Sequence, residues 1–284
     1  MNYRHAFHAG NHADVFKHVV LLALCDALLA KPAPLFALDS HAGRGLYALA
    51  GEQALRTGEA QGGIARLRGG LHADIDRYLA AVAACRADHG ADAYPGSPWL
   101  LAHALRGQDR IALCELQPEE AMALRQAMGG DDRIAIHQRD GYAALRALLP
   151  PRVDGQRLGR GLVLVDPPYE AQLAEFDTAL DALHDALQRW PQGCYALWYP
   201  IKQRRSLRQF QREAEQLDAH GILDLQLLVR NDDSPLRMNG SGMLLLNPPW
   251  QFDARMTPVL LALAAALGED GRGAARAQWL RMPD

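Results

Sequence analysis

The chain has 284 residues, 49% of them hydrophobic and 22% charged, with a formal net charge of -3. That length buries a full core, and the composition is globular, which excludes a disordered or fibrous chain. The small negative charge excludes a surface that is basic all over, while leaving room for a local basic groove. Residues 1 to 12 carry little apolar pattern and several histidines. The spacing then predicts a helix over Ala13 to Leu29, with Asn11 or His12 at its start, broken by Lys31-Pro-Ala-Pro34. Its apolar run, Val15 to Ala30, is interrupted by Lys17, His18 and Asp26 and lacks a signal-peptide cleavage site. It reads as a buried helix, not a membrane span.

Leu35 to Leu38 is a short strand ending at Asp39, and Ser40 to Gly45 is a glycine-containing loop. From 50 to 106 no strand is expected. Helices over Leu71 to Ala87 and Pro98 to Arg106 suggest a small helical insertion, because about 50 residues exceed what a crossover needs. Ser97 and Pro98 suit the start of the second of these helices. Alternation of strand and helix then resumes. Arg110 to Cys114 is a strand ending at Glu115, followed by a helix from Pro118 to Met128. Arg133 to Ile136 is a strand leading to Asp140-Gly141, followed by a helix from Tyr142 to Leu149. Strand Leu162 to Val165, helix Ala174 to Arg189, strand Cys194 to Tyr199 and helix Gln203 to Ala219 come next. Leu223 to Val229 and Met243 to Leu246 are expected to pair antiparallel. The rhythm predicts one α/β domain over 1–284, with a doubly wound, mostly parallel seven-stranded sheet and residues 50–106 as an inserted helical subdomain.

Gly161-Leu-Val-Leu-Val-Asp166-Pro167-Pro168-Tyr169 is the most telling stretch. A buried parallel strand ends there in an acid, two prolines and an aromatic ring. The prolines stiffen the turn and leave carbonyls without helical partners. Asp166 and the Pro167 carbonyl are then two acceptors beside the Tyr169 ring, a set suited to the amino group of a flipped nucleobase. Asp39, Glu115, Asp140 and Asp166 each follow a predicted strand, so in a parallel sheet they line one crevice. Gly43 and Gly45 let the first loop approach a ligand. Glu115 suits ribose hydroxyls, and Asp140 suits an adenine amine. Gly43-Arg-Gly45-Leu-Tyr-Ala48 also fits the dinucleotide fingerprint G-x-G-x-x-A. Asp39 would then face a pyrophosphate, whereas an ammonium and a sulfonium tolerate it, as in S-adenosylmethionine.

This order of acids, with the Asp166-Pro-Pro-Tyr169 motif, resembles the amino-methyltransferases that use S-adenosylmethionine. More narrowly, the chain is similar to the bacterial 23S rRNA (adenine-N6)-methyltransferases of the RlmJ type. The match is carried by the stretch Tyr3 to Val15 with Lys17-His18, by Asp39-Ser-His41-Ala-Gly43 and Tyr94-Pro-Gly-Ser97-Pro98, and by Asp166-Pro-Pro-Tyr169. Tyr195-Ala-Leu-Trp198-Tyr-Pro200, Ser241-Gly-Met243 and Asn247-Pro-Pro-Trp250 complete it. The resemblance implies a Rossmann-like class I methyltransferase fold. It implies cofactor contacts from His18, His41, Ser97, Glu115, Asp140 and Gly141, to which the crevice adds Asp39 and Gly43. It makes Asp166 catalytic, with Pro167 and Tyr169 beside it, and places Tyr3, with Arg4 and Lys17, against RNA. The role of Arg44 stays open. The implied substrate is an adenine N6 amine of 23S rRNA before full ribosome assembly, and the implied state is a monomer. DNA adenine and protein glutamine amide are the alternative acceptors, and a non-catalytic RNA-binding protein is the alternative of another class.

Several features have a plainer reading beside the functional one. Asn247-Pro-Pro-Trp250 nearly repeats the motif but follows the last strand, on the far side of the sheet, and reads as a structural turn. His5, His8, His12 and His18 resemble a metal cluster without fixed geometry, and no metal is expected. Arg204, Arg208 and Arg212, with Lys202 and Arg205, either grip phosphates or form a solvated face. Arg66 and Arg68 carry the same ambiguity. Of Tyr195, Trp198 and Tyr199, at least one belongs to the core. The four scattered cysteines, Cys25, Cys85, Cys114 and Cys194, form no C-x-x-C pair, which points to a reducing cytoplasm without disulfides or zinc.

Overall fold

A computed structural model describes residues 4–153, 155–169, 172–233 and 237–283. Helix α1 (His12–Leu29) begins where Asn11 Oδ1 accepts the backbone N–H groups of Ala13 and Asp14, a cap that satisfies two otherwise orphaned donors. Its first fourteen residues are buried, polar ones included, as in a helix enclosed by core on all sides. The chain continues through β1 (Phe36–Asp39), β2 (Leu46–Ala48), α2 (Glu52–Thr57), α3 (Ala73–His89), β3 (Ala93–Pro95) and α4 (Ser97–Ala104). Next come β4 (Arg110–Cys114), α5 (Pro118–Met128), β5 (Ile134–His137), α6 (Gly141–Leu148) and a small hairpin of β6 (Arg152–Val153) with β7 (Gln156–Arg157). The remainder is β8 (Gly161–Val165), α7 (Gln172–Arg189), β9 (Cys194–Ile201), α8 (Arg208–Ala214), β10 (Ile222–Leu228), β11 (Gly240–Leu246), α9 (Phe252–Leu267) and β12 (Ala274–Arg281).

The main sheet runs β12-β10-β11-β9-β8-β1-β4-β5. From β9 to β5 every neighbouring pair is parallel, whereas β11 is reversed between β9 and β10. This is the Rossmann-like order, in which successive strands are added first on one side of β1 (β4, β5) and then on the other (β8, β9). The expected count of seven strands is corrected to eight, because β12 adds antiparallel to β10. Two smaller expectations also change. Residues 50–106 do contain a strand, since β3 pairs with β2. The helix expected over Gln203 to Ala219 is a 3-10 turn, Arg204–Leu207, followed by α8, which ends at Ala214.

Alternate residues of the sheet feed two cores, as the two-residue period of a strand requires. Ala37, Leu162 and Leu164 pack with Val19, Tyr78, Leu100, Leu124 and Leu260 on one face. Leu38, Val163 and Val165 pack with Leu145, Leu183 and Phe210 on the other. Arg66 donates to the carbonyls of Leu267 and Gly268, so it closes the carboxyl end of α9. Its charge is spent inside the fold. Among the described residues, no helix is long and apolar enough to cross a membrane.

Candidate active site

The parallel register sets Asp39 level with Leu113 and Leu164, so the chain segments that leave β1, β4 and β8 emerge at one edge. A cavity of about 600 Å³ opens there. Glu115, Asp140 and Asp166 line it, together with His18, His41, Gly43, Ser97, Gly141, Pro167 and Tyr169. Asp39 does not. Its side chain is wholly buried behind the wall, where the Ser97 hydroxyl donates to it at 2.6 Å and the His41 N–H at 3.2 Å. Here the acid holds two wall residues and stands one layer back from the cavity. Burial pushes its carboxyl up to about 7, against the Ser97 hydrogen bond.

The glycine loop is fixed from both sides. Gly43 has φ 59°, and a Cβ there would lie 2.4 Å from the Tyr47 hydroxyl. Its N–H donates to Glu115 at 2.9 Å, and the Gln117 N–H donates to the other carboxylate oxygen at 2.7 Å. Burial raises the Glu115 carboxyl above its ordinary range, and those N–H bonds oppose the rise. Arg44 forms a two-pronged bond to Glu120 at 2.8 and 2.5 Å, which ties the loop to α5. Asp140 caps α6 by accepting from the Ala143 N–H at 2.8 Å. At Gly141 a Cβ would meet the Ser40 carbonyl at 2.2 Å and the His41 ring at 2.8 Å, so only glycine fits there.

Asp166 is held by a residue far away in sequence. Lys17 Nζ donates to Asp166 Oδ2 at 2.5 Å and lies 3.1 Å from Asp14. Asp14 also bonds His5 Nε2 at 3.0 Å and the Gly10 N–H at 2.9 Å. Burial opposes charge on Lys17, yet the two carboxylates hold its ammonium above the usual range. Burial likewise opposes charge on Asp14, but His5 and Lys17 keep its carboxyl well below the usual range. Lys17 is only 6% exposed, so it serves the acid rather than an external phosphate. Arg4, 56% exposed at the cavity mouth, is better placed for RNA, and Tyr3 lies outside the described residues.

Tyr169 sits at φ 49°, and its hydroxyl donates to the Trp198 carbonyl at 2.9 Å. Its ring is edge-on to Trp198, and the Lys17 ammonium lies 5.9 Å from the Trp198 ring centre. Trp198 therefore belongs to the site, whereas Tyr195 and Tyr199 are fully buried core residues. Asp14 and Trp198 had drawn no individual role from sequence. The i,i+3 spacing of Asp14 and Lys17 inside an apolar helix was the signal available for the first.

The histidines share no common point. His8 pairs with Glu59 at 2.9 Å, and His18 Nδ1 lies 3.1 Å from the Tyr94 hydroxyl, itself 2.8 Å from that of Tyr78. Burial lowers His18 to about 3 and His41 to about 4, so both rings stay neutral near pH 7. No cluster able to hold a metal is found among the described residues. Asn247 lies at the opposite edge of the sheet, because reversed β11 brings Leu246 level with Tyr195 near the start of β9. Its amide donates to the carbonyls of Pro191 and Gly193, as a structural turn does.

The chain is similar to known proteins along nearly its whole length. Residues 32–281 match the family model described as "Ribosomal RNA large subunit methyltransferase D, RlmJ". The chain is 37% identical over 282 residues to "Ribosomal RNA large subunit methyltransferase J" of Escherichia coli K12, covering 99% of each chain. It is 36% identical over 285 residues to the Haemophilus influenzae protein of the same name, again with 99% of each covered. A solved crystal structure from Legionella pneumophila superposes with a TM-score of 0.85 at 31% identity, over 95% of this chain and 98% of that one. With the acid-lined edge, the Asp166 turn and near-complete coverage in agreement, the chain belongs to the RlmJ family of ribosomal RNA large subunit methyltransferases.

Proposed function

We propose that this enzyme methylates the exocyclic N6 amine of an adenine in 23S rRNA. The observation that carries this reading is the Asp166-Pro167-Pro168-Tyr169 turn opening into the same cavity as Glu115 and Asp140. The donor set fits S-adenosylmethionine. Glu115 keeps acceptor capacity for a ribose diol beyond its two backbone bonds, Asp140 accepts from an adenine amine, and neutral His18 and His41 offer uncharged ring nitrogens. Bound there, the cofactor supplies a methyl group made electrophilic by its sulfonium.

The chain's own residues do the rest by placement. The Asp166 carboxylate and the Pro167 carbonyl each accept one N–H of the target amine, which draws its nitrogen toward tetrahedral geometry and aims the lone pair. The Lys17 ammonium supplies the counter-charge that keeps Asp166 oriented. Tyr169 and Trp198 offer aromatic walls to a base drawn out of its stack. Acceleration comes from preorganised acceptors and proximity, with no metal in the scheme. Because the acceptors are recessed, the target base must leave its helix, which favours unassembled rRNA as substrate. We place the reaction in the cytoplasm and assign it to a monomer. Incubation with labelled S-adenosylmethionine and separated rRNA, DNA and protein acceptors from a strain lacking the enzyme tests the reading. Label in 23S rRNA as N6-methyladenine is expected, and label confined to protein or DNA overturns it.

A further inference from the structure

We infer that Arg205, Arg208 and Arg212 form a ridge that grips the RNA phosphate backbone beside the cavity, an inference that rests on the rRNA reading above. Residues 202–212 hold Lys202, Arg204, Arg205, Arg208 and Arg212 and no acid, in a chain with 33 acidic and 30 basic residues. The ridge is continuous with the site. Lys202 follows β9 directly and lines the cavity, and the 3-10 turn Arg204–Leu207 then leads into α8. Leu207, Phe210 and Ala214 are buried and anchor this element, while Arg205, Arg208 and Arg212 stand exposed.

Several other arginines of the fold are spent internally. Arg66 caps α9, Arg281 donates to the Leu217 carbonyl, and Arg44 grips Glu120. Within the ridge, Arg204 is tied to Asp232 at 3.3 Å. Arg205 donates to the side chain of Gln203, and Arg212 Nε reaches the Arg208 carbonyl. Among the described residues, none of the three has a carboxylate partner. Arg208 and Arg212 are a like-charge i,i+4 pair, which costs a short helix stability. This face is therefore better explained by an external anion than by the fold. Guanidinium forks match phosphate oxygens in pairs, and a phosphodiester chain entering the cavity mouth presents several in succession. Such contacts position the RNA without reading its sequence.

The test compares the triple variant R205Q/R208Q/R212Q with R152Q/R157Q/R189Q, which removes the same charge from exposed positions outside the ridge. Methylation of a 23S rRNA fragment is followed against RNA concentration, and RNA binding against salt. The ridge variant should raise KM for RNA about tenfold and flatten the slope of log affinity against log salt by about 2 to 3. The control should leave both near wild type. S-adenosylmethionine affinity, measured by calorimetry, should be unchanged in both, which shows the site is folded. Equal KM and equal salt slope in the ridge variant and wild type overturn the ridge alone. A wild-type protein that neither binds nor methylates the fragment overturns the rRNA reading, and the ridge with it.

Discussion

Replacing Lys17 by Met removes a cation buried between two carboxylates, at 2.5 Å from Asp166 and 3.1 Å from Asp14. Asp14 keeps His5 and the Gly10 N–H, whereas Asp166 has no other ion pair among the described residues. Taking one partner from a buried pair costs about 3 to 5 kcal/mol. Asp166 is 14% exposed, so water softens the loss, and we take the lower figure of about 3 kcal/mol. Unfolding entropy near 2.1 cal/mol/K per residue comes to roughly 0.6 kcal/mol/K for this chain, so the melting temperature should fall by about 5 °C. Adding Asp14→Asn to the Met variant should return part of that loss, because it removes one of the two stranded charges. Scanning calorimetry of the two single variants and the double at neutral pH measures the coupling. A Lys17→Met protein that melts within about 1 °C of wild type would refute the view that this ion pair organises the site.

Asp166→Asn should bind S-adenosylmethionine normally but lose about 100- to 1000-fold in turnover, since one preorganised acceptor loses its charge. Unchanged turnover would remove Asp166 from the chemistry. Gly141→Ala should drive a methyl into the Ser40 carbonyl and the His41 ring, cost about 1 to 3 kcal/mol, and weaken cofactor binding measured by calorimetry. An alanine variant of normal stability and affinity would show that the loop yields freely. Asp39 titrates near 7 when folded, against 3.8 as its ordinary value, so the folded state holds a proton that the unfolded chain has released. The stability this provides is full below about pH 4 and is lost as pH rises through about 7. The advantage of Asp39→Asn over wild type in urea unfolding should therefore grow between those values and level off above them. A difference that stays flat with pH would contradict a protonated Asp39.

The strand-end acids were legible because a parallel sheet gathers its carboxyl ends whatever its loops do. How deep each acid stands was not. Asp39 and Glu115 look alike in sequence, yet one is sealed behind Ser97 and the other faces the cavity. Lys17 was placed against RNA by the resemblance; beside its local partner Asp14, its second partner is Asp166, across 149 positions, which no local pattern shows. β12 escaped because an edge strand with an exposed and half-buried pattern carries little hydrophobic alternation. The near-repeat at Asn247 was separable only by strand order, and the reversal of β11 shows why: the direction of a strand decides which edge its motif reaches.

The span between Lys17 and Asp166 also sets an order of events in the birth of the enzyme. A chain made at about 5 to 20 residues per second needs roughly 7 to 30 s to add the 149 positions between them. During that interval α1 has left the ribosome's active centre with its cation paired to Asp14 alone, and the second acid it will hold does not yet exist. Contacts so distant along the chain form slowly and late. The methyl-transfer centre thus cannot be completed until β8 has been made, and a chain interrupted before β8 carries α1 and the glycine loop but no acceptor for the amine.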